Sequence, residues 1–581
     1  MIREPSAHSS PLAGDVRGRN FYTLDPWLRQ LLPLYLSPEL CDHLEPHLDS
    51  LGALAGGRLD ALADAADKNE PVLRTRDRFG RDEEWIDYHP SYHAMEGIAF
   101  GELGLHAMSH RGGVLGWPDP YPSVAKYSFQ YIFTQAEFGL MCPISVSDTS
   151  AHLVKQFAGD ELRERLLPRM LSLDPHELWK GSQFMTEKAG GSDVGAIETI
   201  AHHVEGETWR LYGEKWFCSH ADAQVALLLA RPEGAPGSTA GLGLFAMPRT
   251  LDDGNRNRYR IVRLKPKLGT RSMASGEILL EGAEAWQIGD VHRGFKQMME
   301  QVNLSRLSHG FRAAAMMRRC LNEALTVARG RSAFGKTLID MPLVRRQLGK
   351  LLVPTEQALS MSLFAAAMVD EAAAGSSAAA TTLRMLTPLI KYRTCRDNIR
   401  VATGAMEMRG GNGYVEDWVN ARLVRDAHIG VIWEGTSNIN ALDAITRAIG
   451  RESAHESLVA ALEERLASAV ALPEPFRERL ADQLHRAVEL ACEIARQPEL
   501  ETQARRGAAA LYHASSAVLL AWESARMGDA RRALVADLIS RHRLGTQSPL
   551  AVADESGDAA ALDLLLSEQG AGTQQVVSAL G

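Results

Sequence analysis

The spacing of apolar positions along this chain changes twice, and the changes divide it. From Asp25 to about Leu178 the spacing is helical: Leu28, Leu31 and Leu32 recur a turn apart, as do Leu51 and Leu54, then Leu59 and Leu62. Turn residues interrupt these runs, most visibly Gly116-Trp117-Pro118-Asp119-Pro120. Between about Thr186 and Gly289 the apolar runs are short: Trp209 to Tyr212, Val225 to Leu229, Leu242 to Met247 and Ile278 to Leu280. They lie between Gly-, Pro- and Asp-rich turns, and Glu205-Gly206-Glu207 reads as a hairpin turn, so this segment is a compact β insert.

After Val291 the helical period returns, with Leu307, Ala314, Met317, Leu321, Leu325 and Ala328 on one stripe. Further helices start near Leu343 and Ala378, and Pro354 and Pro388 inside them predict kinks or breaks. From about Arg451 the chain turns to Ala, Arg, Glu and Leu, with an amphipathic stripe at Phe476, Leu480, Leu484, Ala487, Val488 and Ala491. A short helix from Ala559 to Leu566 precedes a polar tail, and residues 1 to about 20 read as a flexible leader. The predicted fold is mainly α with a central β-barrel-like domain. Its parts are a leader and α-helical domain (1–184), a β domain (185–290), an α-helical bundle (291–450) and a C-terminal helical domain (451–581).

Composition narrows the function classes. A chain of 581 residues is too long for one small core, and 45% hydrophobic with 23% charged residues is the balance of a soluble globular protein. A net charge of -9 disfavours wholesale binding to nucleic acid or to an anionic membrane. Residues 451–581 hold 13 Arg and no Lys against 13 Glu and 6 Asp, so this part is acidic too. The six cysteines form no C-x-x-C pair, which points to a reduced compartment with neither a disulfide framework nor a zinc ribbon. No apolar h-region opens the chain and Val225 to Ala230 is too short to span a bilayer, so the expected location is cytoplasmic, away from membranes. No histidine pair has metal-ligand spacing, and no metal is expected.

Several short motifs carry candidate chemistry. Trp433-Glu434-Gly435-Thr436-Ser437-Asn438 places a carboxylate beside an aromatic ring and before a glycine, and partial desolvation there would raise its pKa toward a useful general base. The same letters also read as a plain helix start capped by Thr436, Ser437 or Asn438. Met185-Thr186-Glu187-Lys188-Ala189-Gly190-Gly191-Ser192-Asp193 can form a backbone nest for an anion or a flat ring's polar edge, or an ordinary turn. Phe217 and Ser219 share one face of a strand. Arg331-Ser332-Ala333-Phe334-Gly335-Lys336 offers a fixed cation and an aromatic face at a helix end, and Arg409-Gly410-Gly411-Asn412-Gly413-Tyr414 a backbone open to close approach. The latter follows a helix, so it is no Rossmann turn.

Taken in order, these motifs resemble the acyl-CoA dehydrogenase family over about Trp85 to Arg451. Met185 to Lys188, Leu268-Gly269-x-Arg271-Ser272, Met316-Met317-Arg318-Arg319 and the extra C-terminal helices look like its AidB-type alkylation-response subgroup. The resemblance implies FAD, contacted by Met185, Thr186, Ser192, Phe217, Ser219, Thr436 and Asn438. Arg331, Phe334, Gly410 and Gly411 would hold the pyrophosphate and adenosine of a neighbouring subunit's FAD, which implies a homo-oligomer, usually a tetramer. It implies α,β-dehydrogenation of an acyl-CoA with Glu434 as base, Arg306 near the CoA and Trp433 in place of a frequent tyrosine. Electrons would pass to an electron-transfer flavoprotein or another acceptor. The alternative it carries is a DNA-associated flavoprotein of the alkylation response, which the acidic C-terminal domain disfavours.

Overall fold

A computed structural model describes residues 12–546, 550, 552 and 556–580. The first lobe is built from α1 (Pro26–Leu31), α2 (Pro38–Leu54), α3 (Asp60–Asp67), α4 (Pro90–Glu96), α5 (Ser123–Ala136), α6 (Met141–Phe157) and α7 (Asp160–Met170). Asp25 starts α1 by accepting from the backbone N–H groups of Trp27 (3.2 Å) and Leu28 (3.3 Å), with Pro26 at the first position where its missing N–H costs nothing. A two-stranded hairpin, β1 (Val72–Arg76) and β2 (Asp82–Asp87), interrupts the helical lobe, and helical spacing alone did not reveal it. The described part of the expected leader, 12–20, is docked: Val16 is fully buried and Gly18 N–H donates to the Gly56 carbonyl (2.7 Å). Residues 1–11 of that leader lie outside the described residues.

The β domain follows. Its strands are β3 (Gly181–Phe184), β4 (Ile200–Glu205), β5 (Thr208–Ser219), β6 (Val225–Pro232), β7 (Gly243–Pro248), β8 (Tyr259–Leu264) and β9 (Ser275–Ile288). The pairings β6–β4, β4–β5, β5–β9, β9–β7 and β7–β6 close a five-stranded ring, with β3 beside β6 and β8 beside β9. The turn at Gly206 makes β4 and β5 a hairpin.

The bundle is α8 (Gly294–Gly330), a small hairpin of β10 (Ser332–Ala333) and β11 (Lys336–Thr337), α9 (Pro342–Ala373), α10 (Ser377–Arg409), α11 (Gly411–Tyr414), α12 (Val419–Ala427) and α13 (Ser437–Leu442). α9 is long and apolar enough to cross a membrane and is instead buried against α8 and α10. Neither Pro354 nor Pro388 breaks its helix: both lie buried inside continuous α9 and α10. Each forfeits one ladder hydrogen bond, about 3 kcal/mol, and helices packed on nearly every side offset that with apolar burial.

The C-terminal domain comprises α14 (His455–Ser468), α15 (Glu474–Arg496), α16 (Ala504–Arg526), α17 (Arg532–Ile539), α18 (Ser556–Leu565) and α19 (Thr573–Leu580). The last of these forms where the sequence suggested an unstructured tail. Arg531 and Arg532 are buried: Arg532 pairs with Glu356 and Glu523 (both 2.8 Å) and Arg531 with Asp529.

Candidate active site

Glu434 and Gly435 occupy a tight bend between the short turn His428–Val431 and α13. Both have left-handed backbone, φ 48° and 97°. Gly435 is required, since a Cβ there would stand 3.0 Å from Ile439 Cγ2 and 3.2 Å from Asn440 Nδ2. Glu434 has no such excuse, and a non-glycine residue held in this region stores on the order of 1 kcal/mol or more, as functional bends often do. The bend is tied down from two sides. Asn440 Nδ2 donates to the carbonyls of Gly435 (2.7 Å) and Thr436 (3.0 Å), and Arg306 Nε donates to the Glu434 carbonyl (3.1 Å). Thr436 makes no side-chain capping bond among the described residues, so the capped-start reading fails on its own terms.

The bend aims the Glu434 side chain at α8. Ser305 Oγ donates to its Oε1 (3.0 Å) and His309 Nε2 stands 2.6 Å from its Oε2. Arg312 is one turn further along, and positions 305, 309 and 312 share one helix face. The Trp433 ring lies against this face, 5.3 Å from His309 and 6.0 Å from the Arg312 guanidinium, with Phe138 5.9 Å from the same guanidinium. Phe138 is fixed by its neighbour Glu137, which accepts from Leu140 N–H (2.9 Å) and Ser272 Oγ (2.8 Å).

The electrostatics reverse the sequence expectation for Glu434. Burial pushes its pKa up, but His309, Lys391 and Arg312 outweigh burial and hold it at about 2. His309 is itself driven down to about 3 by burial and by Arg312, so at neutral pH an ionised carboxylate faces a neutral imidazole. Lys391, lowered by burial, donates its ammonium to the Gly430 carbonyl. Arg312 is 1% exposed, and its Nε and Nη1 find no hydrogen-bond partner among the described residues.

The flavin-loop residues gather on the β domain. Trp216 N–H donates to the Thr186 carbonyl (2.9 Å), which sets Thr186 next to the strand that carries Phe217, and a Cβ at Gly191 would stand 3.5 Å from the Thr186 methyl. Phe217 is 56% exposed on β5, with Ser219 half-buried on the same face, Met185 half-buried and Ser192 exposed. An aromatic ring left open next to two hydroxyls fits a flat, hydrogen-bonding ring such as a flavin. Cys142, at the start of α6, is buried, which pushes its thiol pKa up, and the charges of Arg312 and Glu434 act on it in opposite senses. Thr436 and Asn438 are exposed immediately past Glu434.

Two groups of expected residues do not line the Glu434 side chain. Arg331, Phe334, Gly410 and Gly411 gather at the far end of α8, 25 residues beyond Arg306, or about 37 Å at 1.5 Å per residue. There Gly410, at φ 72°, lies close to the Arg331 guanidinium, and Phe334 is 98% exposed. Within one chain these residues do not converge on Glu434. Arg306, expected near the CoA, is 4% exposed and spent on the Glu434 carbonyl, Asn303 (3.3 Å) and Asp443 (2.8 Å), so it braces the bend. The sequence reading missed Ser305, His309, Arg312, Lys391 and Cys142. The first three carry a signal, polar residues at i, i+4 and i+7 on a helix whose apolar stripe alone was followed.

Known proteins share this architecture. Residues 292–450 match "Acyl-CoA dehydrogenase, C-terminal domain", 182–283 "Acyl-CoA dehydrogenase, middle domain" and 13–174 "Adaptive response protein AidB N-terminal domain". Acyl-CoA dehydrogenase family member 11 of Caenorhabditis elegans is 31% identical over 75% of this chain and 71% of its own. The putative acyl-CoA dehydrogenase AidB of Escherichia coli is 32% identical over 66% of this chain and 70% of its own. The crystal structure of Caenorhabditis elegans ACDH-11 in complex with C11-CoA superposes with a TM-score of 0.85 at 27% identity, covering 94% of this chain and 95% of that one.

Proposed function

Because this chain belongs to the acyl-CoA dehydrogenase family, a family of FAD-dependent oxidoreductases, we propose that it α,β-dehydrogenates an acyl-CoA thioester with Glu434 as the α-proton base. The observation that carries this reading is the strained, doubly braced bend, which holds an ionised carboxylate against the Ser305 and His309 face of α8. FAD bound on the Phe217 and Ser219 face of β5 supplies a two-electron acceptor at N5 for the β-hydrogen. Glu434 Oε2 takes the α-proton.

In the free protein Glu434 at about 2 is a weak base. An acyl chain entering beside it breaks the 2.6 Å contact with His309, and the desolvation left behind raises the carboxylate toward the working pH. Arg306 and Asn440 keep the backbone of the bend still while the side chain moves. The worm protein's complex with C11-CoA supports an acyl-CoA as substrate.

Arg331, Phe334, Gly410 and Gly411, remote from Glu434 and exposed, serve the FAD of a second copy, which makes the protein a homo-oligomer, a tetramer in this reading. The electrons leave to an electron-transfer flavoprotein or a similar acceptor.

Anaerobic titration of the FAD-loaded protein with acyl-CoAs of graded length and branching should bleach the flavin. Glu434→Gln should keep the flavin spectrum and slow bleaching by about 10²- to 10⁴-fold. A flavin that no acyl-CoA reduces, or a Glu434→Gln variant that bleaches at the wild-type rate, would end this assignment.

A further inference from the structure

Arg312 is a buried cation without an anion of its own. It is 1% exposed, two of its nitrogens lack partners among the described residues, and what lies around the guanidinium is the aromatic surface of Phe138 and Trp433. An unpaired buried charge costs several kcal/mol, and nothing in the scaffold gains from it. The charges nearby do not balance either. Arg306 and Arg384 are matched by Asp443 and Glu452, which leaves Arg312 and Lys391 facing Glu434 alone. The site is short of one negative charge.

We infer that Arg312 binds a carboxylate on the acyl group, so that the site takes carboxylated acyl-CoA thioesters in preference to plain fatty acyl chains. This rests on the dehydrogenase reading and names the substrate class of that same site. The spacing sets the chain length. Ser305, which touches Glu434, and Arg312 are separated by about 10 Å of helix, a span that a diacid chain of about five or six carbons covers once the arginine's own reach is subtracted. A guanidinium accepts such a carboxylate through two parallel N–H donors, and a methyl end would leave both donors unmet. Binding there also screens one of the two cations, Arg312 and Lys391, that weaken Glu434, so the base gains further strength when the matching substrate is seated.

The test uses matched pairs on the FAD-loaded protein: pentanoyl-CoA against glutaryl-CoA, and hexanoyl-CoA against adipoyl-CoA. Both anaerobic flavin reduction and the Tm of the holoenzyme are read. The carboxylated member of each pair should lead by about 100-fold in kcat/KM and raise Tm further, because the plain chain leaves a buried donor pair unpaired. Arg312→Met should reverse the preference and Arg312→Lys should retain part of it. Equal or better use of the plain chains by the wild type, or an Arg312→Met variant that weakens both members alike, overturns this assignment and leaves the dehydrogenase reading standing. If these four and longer or branched acyl-CoAs all fail to reduce the flavin, both fall.

Discussion

α8 buries three arginines within eight residues, and they do opposite things. Arg318 is surrounded by acceptors: its Nε lies 3.0 Å from Asp25 and 3.2 Å from Tyr131 Oη, and its Nη2 donates to Glu356 (2.5 Å). Arg319 pairs with Asp60 (2.9 Å) and Glu323 (3.0 Å). Asp25 and Asp60 come from the first lobe, and Glu356 is shared with Arg532 of the C-terminal domain, so this stretch of α8 fastens three lobes together. Two turns earlier Arg312, equally buried on the same helix, faces aromatic rings and a carboxylate that belongs to the chemistry. Burial is common to all three, and the presence of a dedicated counter-charge separates scaffold from site.

The largest test of that contrast is stability. Arg318→Met leaves Asp25 buried without its cation and should cost about 3–5 kcal/mol, read as a lower urea midpoint at unchanged m-value. Arg312→Met removes a charge that the scaffold does not use and should cost less than about 1 kcal/mol or stabilise. Equal losses from the two variants would erase the distinction between the regions.

The pH dependence gives a second, smaller contrast. Unfolded, Glu434 titrates near about 4.3 and His309 near about 6.5. Folded, they are held at about 2 and about 3. In both windows the unfolded chain binds more protons, so the stability they govern is present above the unfolded values and is lost as pH falls, first through His309 and then through Glu434. His309→Leu should therefore flatten the decline in urea midpoint between about pH 6.5 and pH 4.5. An unchanged slope in His309→Leu would mean that this imidazole is not buried in its neutral form.

How legible each region was follows from its physics. The lobes, the β insert and the bundle were readable because apolar period reports burial, and period survives in sequence. The long, largely buried helices α9 and α10 are also readable, and whether a proline breaks such a helix depends on packing that sequence does not display. Glu434 was found through its neighbours Trp433 and Gly435, but its titration was read backwards. The groups that depress it, the His309 imidazole and the Arg312 and Lys391 cations, are far away in the chain, and a local motif carries only the local desolvation. The bracing contacts of Arg306 are hidden for a similar reason: its partner Asp443 lies 137 residues on.

The smallest expected effect falls on Thr436, which occupies the N-cap position of α13 without making a side-chain bond among the described residues. A working cap such as Ser376, whose Oγ accepts from Ala379 N–H (3.2 Å) at the start of α10, should lose about 1 kcal/mol on truncation to Ala. Thr436→Ala should lose less than about 0.5 kcal/mol, because the residue is exposed and its carbonyl stays held by Asn440. Its hydroxyl is open beside Glu434, where the family resemblance places a flavin contact. The same variant should therefore release FAD about 2- to 10-fold more readily, the worth of one hydrogen bond, measured as recovery of flavin fluorescence on dilution. A Thr436→Ala protein that loses a full cap's worth of stability and keeps its FAD would move this hydroxyl into the scaffold with Arg318. The opposite pattern places it with Arg312, among the polar groups near Glu434 that the fold leaves open for a ligand.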